Sequence, residues 1–111
     1  MMAALQRHFY VAQRATALVL APLVVIHLVL IMIAVKNGLT ADEILSRTRG
    51  NVLWAAFYSL FVVAAAIHAP LGVRNVLREW TPLSSRGVDV LCLLLFVFLL
   101  FAGLRAVVAV Y

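Results

Sequence analysis

The chain has 111 residues, 67% hydrophobic and 12% charged, whereas a soluble domain is nearer half apolar. That balance excludes an ordinary soluble enzyme and places the whole chain, 1–111, in the membrane class as a single transmembrane domain. Nine Lys+Arg against four Asp+Glu give a net charge of +5. The positive charges flank apolar runs, and no basic helix with interleaved aromatics is there to read bases, so nucleic acid is excluded as a partner. The lone Cys92 allows neither an intrachain disulfide nor a cysteine metal site, and it reads as a small hydrophobe.

Three apolar runs follow in chain order, over about 11–35, 52–73 and 88–111. Each holds the ~20 residues that a helix needs to cross hydrocarbon. Lipid offers no water to an exposed backbone, so the runs read as helices over about 8–36, 51–80 and 85–111, an all-α integral membrane bundle. The first run is too long for the core of a secretion signal, and no small-residue cleavage site follows it, so no cleavable signal is expected.

Between the first two helices lies "KNGLTADEILSRTRG". Asn37-Gly38 is a helix C-cap pattern. Thr40 followed by Glu43 is a capping-box pattern, which predicts a short interfacial helix over 41–47. The second connection, "TPLSSRG", is a turn. Ser84 or Ser85 is expected to cap the third helix, with Asp89 serving its first turn. Arg7, Arg14, Arg74, Arg78 and Arg86 fall on one side of the bundle. Lys36, Arg47 and Arg49 fall on the other, with Arg105 near the end of helix three. That excess puts the N-terminus in the cytoplasm.

His27 and His68 lie inside the first and second helices, and ionisable residues at such depth are functional by default. Neutral imidazole ligates iron well, while the competing role is a hydrogen bond to a neighbouring helix. His27 is thirteen residues beyond Arg14, about 20 Å at 1.5 Å per residue, and His68 is six residues before Arg74, about 9 Å. If the two arginines mark one interface, the histidines differ in depth by roughly 10 Å. They cannot then be the two axial ligands of one haem. Each serves a different haem completed by a partner chain, or only one is a ligand.

On helix two, His68, Gly72, Asn75 and Glu79 form one stripe, extended by Trp54, Phe61 and Ala64. Small residues one turn either side of His68 leave room for a flat macrocycle, and His68 is the expected haem ligand. Pro70 withdraws an N–H and frees the carbonyl of Ala66. His27, among the bulky Leu23, Val24, Leu30 and Ile31, is a second metal-ligand candidate in a tighter place. His8 reads as solvated at the interface. Helix one opens with "HFYVAQRATA", which sets Tyr10, Gln13, Arg14 and Thr16 at the membrane surface. Arg14 suits bidentate bonds to haem propionates, and Tyr10 and Thr16 suit a quinone carbonyl. The alternative for Arg14 is a snorkelling anchor.

"QRATALVLAP" followed by "HAPLGVRNVLRE" resembles the membrane-anchor cytochrome b subunits of succinate dehydrogenase and fumarate reductase. Their pattern is Arg, two residues on Ser or Thr, then on the next helix His, three residues, Gly, one residue, Arg, and an acidic residue five further on. Arg14, Thr16, His68, Gly72, Arg74 and Glu79 match it, and length and three-helix plan agree over essentially the whole chain. Tyr10 stands where many members have a quinone-contacting serine, Asn75 where a second histidine is frequent, and Ala17 where glycine is common.

The resemblance implies an electron-transfer anchor of succinate dehydrogenase, not catalytic alone, in the cytoplasmic (inner) membrane of a prokaryote. It would form half of a haem-binding helix bundle. His68 would hold haem b and Arg14 would lie near the propionates and quinone. Tyr10, Thr16, Gly72 and Asn75 would complete the cofactor and quinone region. The complex carries one haem b, or two with His27 serving the distal one. The implied partners are a flavoprotein subunit, an iron–sulfur subunit, a second membrane anchor, quinone and the lipid bilayer. The rivals are a haem-free quinone-binding anchor of a fumarate reductase and a small membrane transporter, against which the lack of any Asp or Glu deep in a run speaks.

Overall fold

The structure, a computed structural model, describes residues 2–111. Four helices follow in order: α1 Met2–Lys36, α2 Ala41–Thr48, α3 Val52–Trp80 and α4 Ser85–Val110. Among the described residues α1, α3 and α4 are long and apolar enough to cross a membrane, giving the three-helix membrane bundle that the apolar runs predict. Helix α1 starts six residues earlier than expected at 8. "MAALQRH" holds no proline, glycine or capping side chain to delay it, and Ala, Leu, Met, Gln and Arg are good helix formers.

The connections are built as their sequences dictate. Lys36 ends α1, Gly38 turns with φ +101°, and Leu39 follows at φ +50°. The Leu39 N–H then returns to the Ala34 carbonyl at 2.7 Å, which satisfies one of the carbonyls a helix end leaves free. Thr40 caps α2 by accepting from the Glu43 N–H at 3.2 Å. The Glu43 carboxylate does not complete the reciprocal half of a capping box. It takes Arg47 and the Asn37 amide instead, and these bonds hold it below the usual carboxylate range. Asn51 caps α3 through the Trp54 N–H, and Ser84 caps α4 through that of Gly87.

Helix α3 is the central strut, packed along α4 on one side and α1 on the other, with α2 touching its start. The bundle is 48 Å long and 23 by 22 Å across, close to the ~40–45 Å of a bilayer with its headgroups. Its buried apolar residues are few and mostly small: Ala34, Ala64, Ala66, Pro70, Cys92, Val88 and Leu23. The large aliphatic and aromatic side chains point outward, as they should where lipid is as apolar as a core. Close approach of backbones replaces bulk. A Cβ on Gly103 would lie 2.9 Å from Val62 Cγ2 and nearer still to Cγ1, so only glycine lets α4 settle on α3 here. At the far end Thr48 donates to the Val110 carbonyl at 2.9 Å and the Gly50 N–H to that of Tyr111 at 2.8 Å. These bonds tie α2 to carbonyls that the end of α4 would otherwise leave bare.

Gly103→Ala is expected to destabilise the detergent-solubilised protein by about 1–3 kcal/mol through overpacking. A lower thermal midpoint would read this, and Val62→Ala in the same chain should recover most of it. An unchanged midpoint for Gly103→Ala would mean that α3 and α4 do not approach this closely.

Candidate functional site

The polar side chains of the spans gather mainly at the end of the bundle that holds the N-terminus. Arg74 of α3 is buried, and its Nε donates to Asp89 Oδ1 of α4 at 2.9 Å. Its guanidinium also lies over the Phe9 ring of α1, 4.7 Å from the centroid. One side chain therefore joins all three spans. Asp89 is the fifth residue of α4, past the reach of an N-terminal cap, so the first-turn role expected of it is corrected. Ser84 supplies the cap, and Asp89 neutralises a cation that the bundle has taken out of water.

Deeper in, α1 and α3 meet through Thr16 and His68. Thr16 Oγ1 lies 3.1 Å from His68 Nδ1, 2.7 Å from the Ala12 carbonyl and 3.1 Å from that of Gln13. Both side chains are half-buried. The competing role considered for His68, a bond to a neighbouring helix, is therefore filled by one ring nitrogen, and an imidazole has two. Beside the ring runs a groove of 390 Å³ along the outer face of α3, lined by His68, Ala69, Gly72, Val73, Val76 and Leu77. Ala69 and Gly72 keep it open. Gly72 also receives the amide of Gln13, whose Nε2 lies 3.4 Å from where a Cβ would stand. Gln13 Oε1 is buried without a partner among the described residues. Gln13 shares the helical face of Thr16, three residues away, so the same side of α1 that meets His68 also meets Gly72.

Arg14 and Tyr10 are exposed on α1, the guanidinium 6.0 Å from the Tyr10 ring. Neither side chain makes a hydrogen bond or ion pair among the described residues, and Asn75, exposed on α3, also makes none. These three present free donors at the surface, whereas Thr16 is turned inward onto His68.

His27 sits elsewhere. Its ring lies edge-on to Tyr58 and Phe61, with centroids 6.1 and 5.2 Å away. Trp54 and Phe57 continue the same aromatic cluster along α3. Its Nδ1 is buried without a partner among the described residues. Two cavities of 150 and 300 Å³ flank it, and Ile44, Thr48 and Tyr58 line both.

The two histidines stand further apart in depth than the spacing from the arginines predicts. His68 is level with Thr16, eleven residues before His27 on α1, which is about 16 Å at 1.5 Å per residue. The estimate of roughly 10 Å set Arg14 and Arg74 at one level, but Arg74 lies over Phe9, five residues nearer the N-terminus than Arg14. The larger separation strengthens the exclusion of both histidines from one haem.

A family model described as the succinate dehydrogenase/fumarate reductase transmembrane subunit matches residues 1–104. No curated protein and no solved structure matches the chain.

The Arg74–Asp89 pair is lopsided, with side-chain exposures of 9% and 56%. Asp89→Ala strands a buried guanidinium, whereas Arg74→Met leaves a carboxylate that can still reach the polar interface. Asp89→Ala is expected to cost the larger amount, roughly 1–3 kcal/mol, between the values for exposed and buried pairs. Thermal unfolding in detergent reads the order. Equal or reversed losses would show that Arg74 is not held in a dry site.

Proposed function

The chain belongs to the succinate dehydrogenase/fumarate reductase transmembrane-subunit family, and on that basis we propose that it is the membrane-anchor and electron-transfer subunit of a succinate dehydrogenase. In this reading His68 holds haem b, and Arg14 and Tyr10 form this chain's side of a quinone site. Three candidate spans and the family make it a multi-pass membrane protein of the complex, whose soluble catalytic subunits are its partners. The proposed setting is the cytoplasmic membrane of a prokaryote with the N-terminus inside, following the arginine excess at that end.

The observation that carries the reading is the environment of His68. A metal-bound histidine commonly gives its other ring N–H to an oxygen, and Thr16 Oγ1 is such an oxygen, 3.1 Å from Nδ1. The residues fit the group. The donor is a half-buried imidazole, and the groove beside it is walled by small and aliphatic side chains of α3. That groove opens on the outside of this chain, so a second membrane anchor is proposed to close it and to help hold the group. When bound, haem b supplies a one-electron store between the iron–sulfur subunit and quinone.

The chain's own residues then hold and orient. Arg14 offers a forked, permanently charged set of donors, suited to propionate carboxylates or a developing quinone oxyanion. The Tyr10 hydroxyl donates to a quinone carbonyl oxygen and can release a proton toward it. Asn75, seven residues from His68 on the same stripe, offers an amide at propionate level. Gly72 gives Gln13 its place against α3. Thr16 has its hydroxyl committed to His68 and the α1 backbone, so the quinone contact rests on Tyr10 and Arg14. His27, edge-on to the rings of Tyr58 and Phe61, is proposed as a packing residue, which leaves one haem for the complex.

His68→Ala is expected to abolish the haem b spectrum of the purified complex while the anchor still inserts and the soluble subunits still assemble. A mutant with its haem intact would refute the ligand assignment. Arg14→Leu is expected to lower kcat/KM for quinone about tenfold or more, the loss of a charge-assisted hydrogen bond. Succinate oxidation by a soluble artificial acceptor should be unchanged. Equal activity toward quinone would remove Arg14 from the site.

A further inference from the structure

The structure assigns Thr16 as the positioning residue that fixes the protonation and aim of His68, an assignment that rests on His68 being the haem ligand. The Thr16 hydroxyl has one proton and three neighbours: the Ala12 carbonyl at 2.7 Å, the Gln13 carbonyl at 3.1 Å and His68 Nδ1 at 3.1 Å. Two oxygens 2.7 Å apart need a proton between them, and a carbonyl has none to give. The hydroxyl proton therefore lies toward Ala12, and the oxygen meets His68 with a lone pair. Nδ1 must then carry the ring proton. That leaves the lone pair on Nε2, the only tautomer in which Nε2 can bind a metal.

The local helix makes this possible. Thr16 folds its hydroxyl back onto the carbonyl four residues earlier in α1, a habit of Ser and Thr in membrane helices. Held in this way, the oxygen becomes a fixed acceptor that faces α3. Gln13, one turn before it, lies against Gly72, one turn past His68, so the two helices meet in register around this single bond. The bond has two consequences. It stops the ring from turning, which fixes the direction of Nε2. It also draws on the Nδ1 proton and so makes Nε2 a stronger electron donor to a bound metal. A stronger donor favours ferric over ferrous iron.

The test uses the assembled, purified complex with wild-type, Thr16→Val and Thr16→Ser chains, read by haem content, redox titration and the ferric low-spin electron paramagnetic resonance spectrum. Thr16→Val keeps the shape and removes the acceptor. It is expected to weaken haem retention about tenfold or more, the usual effect of losing a partner behind a metal ligand. The haem that remains should titrate at a more positive potential with a shifted ferric spectrum. Thr16→Ser restores the hydroxyl and should return all three readings toward wild type. If Thr16→Val matches wild type in potential and spectrum with full haem, the assignment is overturned while the ligand reading stands. If Thr16→Ser behaves like Thr16→Val, the methyl and not the hydroxyl is what matters, and the assignment is likewise overturned. A wild-type complex without haem, or a His68→Ala complex that keeps it, overturns the ligand reading and this assignment with it.

Discussion

Hydrocarbon supplies no hydrogen-bond partner, so a polar side chain within a span must find one in protein or in a cofactor. This constraint organises the bundle. Arg74 finds Asp89 and Phe9, and Thr16 finds His68 and its own helix backbone. Both links end on α3 and bind it to its neighbours, so the central helix owes its register to the polar residues that lipid would reject. The apolar contacts between them are made by alanine, glycine and valine, which grip through close approach more than through bulk.

The same constraint separates the two intramembrane histidines. His68 has one nitrogen satisfied from α1, and its ring borders an open groove. His27 packs edge-on to Tyr58 and Phe61, lines two cavities and has a buried Nδ1 without a partner among the described residues. The groove beside His68 lies on the outer face of α3, which is where the proposed haem would be shared with a second chain.

How much of this was legible in the sequence follows from what is local and what is not. The spans, the interfacial helix and the Thr40 and Ser84 caps are written in runs of adjacent residues, and they could be read directly. The stripe that joins His68 to Gly72 was legible for the same reason. Polar partners across helices were not, because they depend on the relative sliding of two rods. Arg14 and Arg74 look like equivalent interface markers in sequence, yet Arg74 lies level with Phe9, and the depth difference of the histidines was underestimated as a result. Asp89 reads in sequence as a helix-dipole residue, and only the packing of α4 on α3 brings it to Arg74. Thr16 reads as a surface donor for quinone, and only the packing of α1 on α3 brings it to His68. Tyr10 and Arg14 are the reverse case: exposed on α1, they make no hydrogen bond or ion pair among the described residues, so nothing within the chain marks their role.

The measurement that tests the account most directly is pyridine haemochrome quantitation on the purified wild-type complex, together with a reduced-minus-oxidised spectrum. The account predicts one haem b per complex. A complex that transfers electrons to quinone with no haem b at all would contradict it.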